Sequence, residues 1–390
     1  MFNFLLLMIA PVLIALLTLL LFMKRILWWE VALQVGVVGL VLGIALAIAY
    51  EAPTADTEVW NGQVTAKQRN EVSCRHSYQC NCVCVARDKN GSCTSEVCQT
   101  CYEHSYDVDW DIYASTKESV SIDTADRQGL MEPKRWDDAF IGEPWESQHS
   151  YTNYIKANPD SVLLGTKGDI KRWGKLIPKY PAGIYNIYYN DPVINMGVPN
   201  VDLATWNWLI RDINKVLGPK KQVHIIVILV PTNDRSYMYA LKDAWVGGKK
   251  NDVDIVIGSP DGDKIEFADV MSWSTNHALQ VELRDDIQGE GSLLNKDHIV
   301  RDIGTRVDAD FVRMHMKSMQ WLMRSYQPSS NCIFWLFIVG VILSLGISIT
   351  EVYMDLGEDD QYDTSAHRRW AAQFKFASIN LKKNTRSYYQ

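Results

Sequence analysis

The sequence predicts an α/β protein built from three transmembrane helices, a layered α/β domain and a small cysteine-rich β module. Three observations carry that expectation. Apolar stretches at residues 4–23, 26–50 and 332–350 are each long enough to cross a bilayer as a helix, and the last carries no charge. Seven of the eight cysteines crowd into residues 74–101. From residue 201 onward, amphipathic stretches alternate with runs of β-branched residues, the pattern of a sheet covered by helices. The formal charge of −7, from 39 Lys and Arg against 46 Asp and Glu with no basic block, excludes nucleic acid as the default partner.

Residues 1–50 read as a transmembrane helical hairpin. The first span lacks a basic leading segment and a small-residue cleavage site, so it is expected to be retained. Lys24 and Arg25 separate the two spans, and the positive-inside rule places them in the cytoplasm. The soluble body then faces the extracytoplasmic side, residues 331–353 return as the third helix, and 354–390 form a cytoplasmic tail containing Arg368, Arg369, Lys375, Lys382, Lys383 and Arg386. The expected location is a bacterial inner membrane or a viral-encoded equivalent. In the second span Gly39, Gly43 and Ala47 recur every four residues, and in the third Gly340, Ser344 and Ser348 do the same. Small residues at that spacing let helix backbones approach closely. They are expected to pack the spans within the chain or between copies, so the partners are the bilayer and a second copy or another membrane protein. Glu30 and Gln34 are expected at the membrane interface, where polarity is cheap.

Residues 51–130 form the cysteine-rich, β-containing module. Cys74, Cys80, Cys82, Cys84, Cys93, Cys98 and Cys101 lie close together, with His76 and His104 alongside. On the extracytoplasmic side disulfides are the default, and three bridges leave one thiol over. The competing reading is zinc: Cys98 and Cys101 have ordinary ligand spacing, whereas Cys80, Cys82 and Cys84 stand closer together than structural zinc pairs do. Both roles are structural. Residues 131–194 read as an irregular connecting region, with a helix at SYTNYIKANP and a strand at GIYNIYYN.

The body from 195 to 327 is clearer. Leu203, Trp206, Leu209, Ile210, Ile213, Val216 and Leu217 have helical spacing, with Gly218-Pro219 as the stop. QVHIIVILVPT reads as a strand buried on both faces, YMYALKDAWVGG as a helix, DVDIVIGSP as a second buried strand and DKIEFADVMSW as a third. NHALQVELRDDI and DHIVRDIGTRVDADFVRMHMKSMQWLM read as closing helices. Asp234, Asn251, Asp252, Asp261 and Asp263 fall in loops beside these strands, where they could converge on one sheet edge and hold calcium or magnesium. Turn chemistry alone also places Asp and Asn in such loops, and that reading is preferred. No Walker A, GxSxG, HExxH or GxGxxG motif occurs. His224 reads as a core histidine, and Trp206, Trp208, Trp245 and Trp273 as core aromatics.

The order of the HIIVILV strand, the YALKDAW-x-GGKKND loop, the VDIVIGS and DGDKIEF strands and a closing helix pair resembles the TPM domain over roughly residues 195–323. The resemblance rests on the Ala244-Trp245-Val246-Gly247 run, the Asn251-Asp252 pair and Asp263-Lys264. Asp252 and Val253 stand where the family often has asparagine and glycine, so this loop departs from its pattern. The resemblance implies a Rossmann-like α/β/α module in a membrane-anchored protein. Its members are associated with photosystem repair, receptor accessory roles and weak acid phosphatase activity. The overall layout also resembles uncharacterised membrane proteins encoded by tailed phages. The expected function is therefore a non-enzymatic scaffold or accessory protein. The alternatives are a metal-dependent phosphatase-like hydrolase and a phage-encoded modifier of the host envelope.

Overall fold

The computed structural model describes residues 2–22, 26–162 and 169–354. In chain order the elements are α1 (Phe2–Leu21), α2 (Trp28–Glu51), β1 (Ala55–Ser73), β2 (Ser77–Arg87), β3 (Cys93–Tyr102), β4 (Tyr106–Ala114), β5 (Ser119–Ile122) and α3 (Lys134–Asp138). There follow β6 (Pro144–Thr152), α4 (Tyr154–Ala157), α5 (Ile170–Trp173), β7 (Val193–Asn195), α6 (Leu203–Lys221), β8 (His224–Val230) and α7 (Tyr237–Ala244). The chain then runs through β9 (Asp252–Gly258), β10 (Phe267–Ser272), α8 (Ala278–Glu290), α9 (Lys296–Asp310) and α10 (Ser330–Met354). The described residues form two compact units, one from residues up to 52 together with 327–354, and one from residues between 53 and 326.

In the first unit α1, α2 and α10 are long and apolar enough to cross a membrane, so the chain is a membrane protein. Leu7, Val38, Leu42 and Leu46 form the packed centre of the three helices. A Cβ on Gly340 would come within 2.9 Å of the Leu42 side chain, and one on Gly39 within 3.4 Å of Met8, so both glycines sit at close helix approaches. Gly43 faces Phe4. Ala47 departs from the expected stripe: it is exposed, because the buried line of α2 runs through Val31, Gln34, Val38, Leu42 and Leu46, one residue away. Gln34 and Glu30 also depart from the expected interface, since both are buried. The Gln34 amide donates to the Ser344 carbonyl at 2.8 Å and to the Ser344 and Ser348 hydroxyls at 3.0 and 2.8 Å. Hydrocarbon offers an amide no partner, so the third-span serines supply it. Lys24, Arg25 and the basic residues of the tail lie outside the described residues.

The second unit contains two four-stranded sheets. In one, with order β5-β4-β1-β6, every pairing is antiparallel. The long β1 serves two partners: Ala55 to Gln63 pair with β6, and Val64 to Ser73 pair with β4 across a bulge at Val64–Ala66. Val64, Val108, Trp110, Ile112 and Trp145 form its core. Residues 144–152 thus belong to the same sheet as the 51–130 module; of the helix expected over SYTNYIKANP, residues 150–152 are strand and only Tyr154–Ala157 is α-helical. GIYNIYYN is not a strand either. Asn186 and Ile187 take left-handed backbone angles, which fold it into a turn that drives Ile187 into the first sheet's core.

The other sheet has order β10-β9-β8-β7, with β7, β8 and β9 parallel and β10 antiparallel at the edge. Strands β8 and β9 are buried at every position, as their apolar runs from Ile225 and Ile255 predict, and β9 buries Asp252 and Asp254 as well. Ile225, Val227, Leu229, Val253, Ile255 and Ile257 face α6, α8 and α9. Ile226, Ile228, Val230 and Val256 face α7 and Trp173. Helix α6 does not stop at Gly218-Pro219 but runs on to Lys221, where Gln222 in the left-handed region caps it. Gly218 has a packing role instead, since a Cβ there would overlap the Asn61 carbonyl of β1. The expected last helix breaks at Phe311, whose ring is buried while the chain continues extended before a 3₁₀ segment at Met316–Arg324. Trp206 and Trp245 are core residues, whereas Trp208 is 64% exposed.

Candidate functional site

The five residues expected to form an oxygen-rich site are divided between opposite ends of the parallel strands. Asp234 follows β8 and Asp261 and Asp263 follow β9, at the carboxyl end; Asn251 and Asp252 stand at the amino end of β9. The carboxyl-end group serves local backbone. Asp234 accepts the Ser236 N–H at 2.8 Å and pairs with Arg172 at 2.6 Å. The Ser236 N–H is the main cause holding its carboxyl below the usual range. Asp261 accepts the Asp263 and Lys264 N–H groups at 3.0 Å, a turn that likewise lowers its pKa. Asp263 accepts the Ser292 hydroxyl. Asn251 donates to the Val59 carbonyl at 2.7 Å and ties the two sheets together. Among the described residues, the places where three or more His, Cys, Asp or Glu ligand atoms converge lie elsewhere.

At the amino end the alternation of β9 puts Asp252 and Asp254 on one face. Asp252 accepts the Tyr180 hydroxyl at 3.0 Å and the Lys249 N–H at 2.7 Å, and its Oδ1 is 3.2 Å from His224 Nδ1. His224 is buried and engaged there. Asp254, not singled out in the sequence, is fully buried and neither carboxylate oxygen has a hydrogen-bond partner. Burial first, and the charge of Asp252 second, push its carboxyl well above the usual range, against the pull of Lys249. The loop beside it, Val246-Gly247-Gly248, takes three consecutive left-handed conformations. A Cβ on Gly248 would overlap Asp254 Oδ2, so only glycine permits this approach. Burial first, and the charge of Asp252 second, also push the Tyr180 hydroxyl far up.

A cleft of about 320 Å³ opens next to this group, lined by Asp56, Lys156, Pro178, Tyr180, Trp245 and Lys249. Lys249 Nζ lies 2.6 Å from Asp56 Oδ1, and Asn153 donates to Asp56 Oδ2 at 2.8 Å. Burial alone would raise the Asp56 carboxyl, but Lys249 and Asn153 together hold it below its usual value. The cleft therefore presents a fixed ion pair, and its wall at Gly248 lies against the buried Asp254.

The β2–β3 hairpin forms a separate two-stranded sheet. None of its strand residues is buried, so it has no core of its own. Three disulfides, Cys80–Cys101, Cys82–Cys98 and Cys84–Cys93, cross it like rungs. Two-stranded hairpins are marginal in water, and covalent rungs substitute for the missing core. These six sulfurs are unavailable to a metal, which removes the zinc reading for them. Cys74 remains a buried free thiol, the leftover that the odd count requires. Val83, paired in register with Val97, and the nearby Val85 are 65%, 61% and 59% exposed. The Gly39, Gly43, Gly340, Ser344 and Ser348 group, by contrast, is engaged inside the helical unit. No family model, curated protein or solved structure matches the chain.

Proposed function

We propose that the chain is a membrane-anchored assembly protein that uses its stapled hairpin as the contact element towards a second copy of itself, and carries a TPM-like α/β body on the extracytoplasmic side. One observation supports this most: three disulfides are invested in a hairpin that buries nothing and displays Val83, Val85 and Val97 to solvent. Rigidifying an exposed element in advance lowers the entropy cost of binding through it. Both edges of a two-stranded sheet are open, and antiparallel edge pairing between identical hairpins is self-complementary about a two-fold axis. The disulfides also favour an oxidising compartment. The three parallel strands with an antiparallel edge, covered by helices on both faces, support the TPM-like reading.

The test places a photoreactive side chain at Val83 in the full chain and irradiates intact membranes. A covalent product of two chains is expected. Cross-links to other proteins or lipid with none between chains would remove the proposal.

A further inference from the structure

Four side chains at the root of the hairpin direct their ligand atoms into one space. Cys74 follows β1, His76 precedes β2, His104 follows β3 and Asp107 lies in β4, so each crossing between sheet and hairpin contributes a pair. The sulfur, the two imidazole nitrogens and the carboxylate all lie within 4.8 Å of one another. His76 Nδ1 is 3.3 Å from His104 Nε2 and 3.3 Å from Asp107 Oδ2, and His104 Nε2 is 3.2 Å from Asp107 Oδ1. A tetrahedron with metal–nitrogen and metal–oxygen bonds of about 2.0–2.1 Å has edges of about 3.3–3.4 Å, so these separations are those of ligands around one ion.

Hydrogen bonding alone accounts poorly for the cluster. Asp107 is buried, with 4% of its surface exposed; its Oδ2 accepts the Arg75 N–H at 2.8 Å, whereas its Oδ1, though 3.2 Å from His104 Nε2, makes no well-aligned hydrogen bond. The two imidazole nitrogens face each other, and a single proton between them would serve only that pair. A cation at the centre would engage both nitrogens, the orphaned oxygen and the buried thiol together. It would also give a role to the one cysteine of the cluster that the three bridges omit.

We propose that Cys74, His76, His104 and Asp107 bind one zinc ion in a closed, four-coordinate structural site that fastens the hairpin to the first sheet. One thiolate, two imidazoles and one carboxylate are a ligand set suited to zinc, and four protein ligands leave no open position for catalysis. The site goes beyond the assembly reading, because it stands on the ligand geometry whether or not the hairpin meets a partner.

The test uses the full chain in detergent, disulfides intact, stripped with chelator and titrated with cobalt(II) and then zinc. About one ion per chain is expected, with the visible absorption of tetrahedral cobalt and a thiolate-to-cobalt charge-transfer band, both abolished when zinc displaces the cobalt. Cys74→Ser should lose the charge-transfer band, and His104→Ala and Asp107→Asn should weaken binding by roughly a hundredfold or more. Counting alkylatable thiols verifies that the three bridges survive in each variant. Wild-type protein that takes up neither metal overturns the proposal, and so does stoichiometric binding unchanged in His104→Ala. Should a variant fail to fold, the wild-type spectrum decides by itself, because a site without tetrahedral geometry or thiolate is not this one.

Discussion

The perturbation of Asp254 has a clear physical cause. Its carboxyl is raised by burial and by Asp252, so it stays protonated in the fold while the unfolded chain titrates near its ordinary value of 3.8. As pH rises above that value the unfolded state releases its proton and the folded state does not, so stability falls with each unit until the folded value is passed. Asp254→Asn keeps the shape and removes the proton. The melting temperature of the variant relative to wild type is therefore expected to climb as pH rises above that ordinary carboxylate value, measured by thermal unfolding of the full chain. A difference that stays constant as pH rises would contradict the assignment. The signal for Asp254 was present in the sequence as an acid two residues after Asp252 in an otherwise apolar strand, where alternation places both on one face. Gln34 was harder to read, because its burial depends on Ser344 and Ser348, more than 300 residues away in the chain.

At the scale of elements, the hairpin is the one whose stability is covalent. Its nested bridges have sequence separations of 21, 16 and 9 residues; a single bridge of this kind contributes about 2–4 kcal/mol by constraining the unfolded chain, and bridges nested around it add less each. Reduction of the full chain is expected to abolish hydrogen-exchange protection in β2 and β3 while β8 and β9, buried throughout, retain theirs. Exchange mass spectrometry with and without reductant measures this, and hairpin protection that outlasts the bridges would contradict it. Legibility also differed by element. The apolar runs within β8 and β9 and the spacing of α6 identify themselves locally. In contrast β1 is polar, and β6 reads PWESQHSYT; β6 becomes a strand by pairing with β1, and β1 by pairing with β6 and β4, and no local pattern encodes those pairings. Gly218-Pro219 looked like a helix stop because its real constraint, the approach of β1 at Asn61, is tertiary.

Across the whole molecule, the three long apolar helices and the mixed α/β body were legible because both rest on long periodic segments. The split of the acidic residues between two ends of the parallel sheet was not, because loops beside strands reveal their end only once strand direction is known. Assembly through the hairpin is the central claim. Its most direct test is native mass spectrometry of the detergent-solubilised full chain, wild type beside Val83→Asp, both with their three bridges intact. A charge placed on an apolar contact surface must be desolvated for the contact to form. The account predicts a dimer for the wild type and a monomer for Val83→Asp; a wild type that is monomeric, or a dimer indifferent to the substitution, would contradict it.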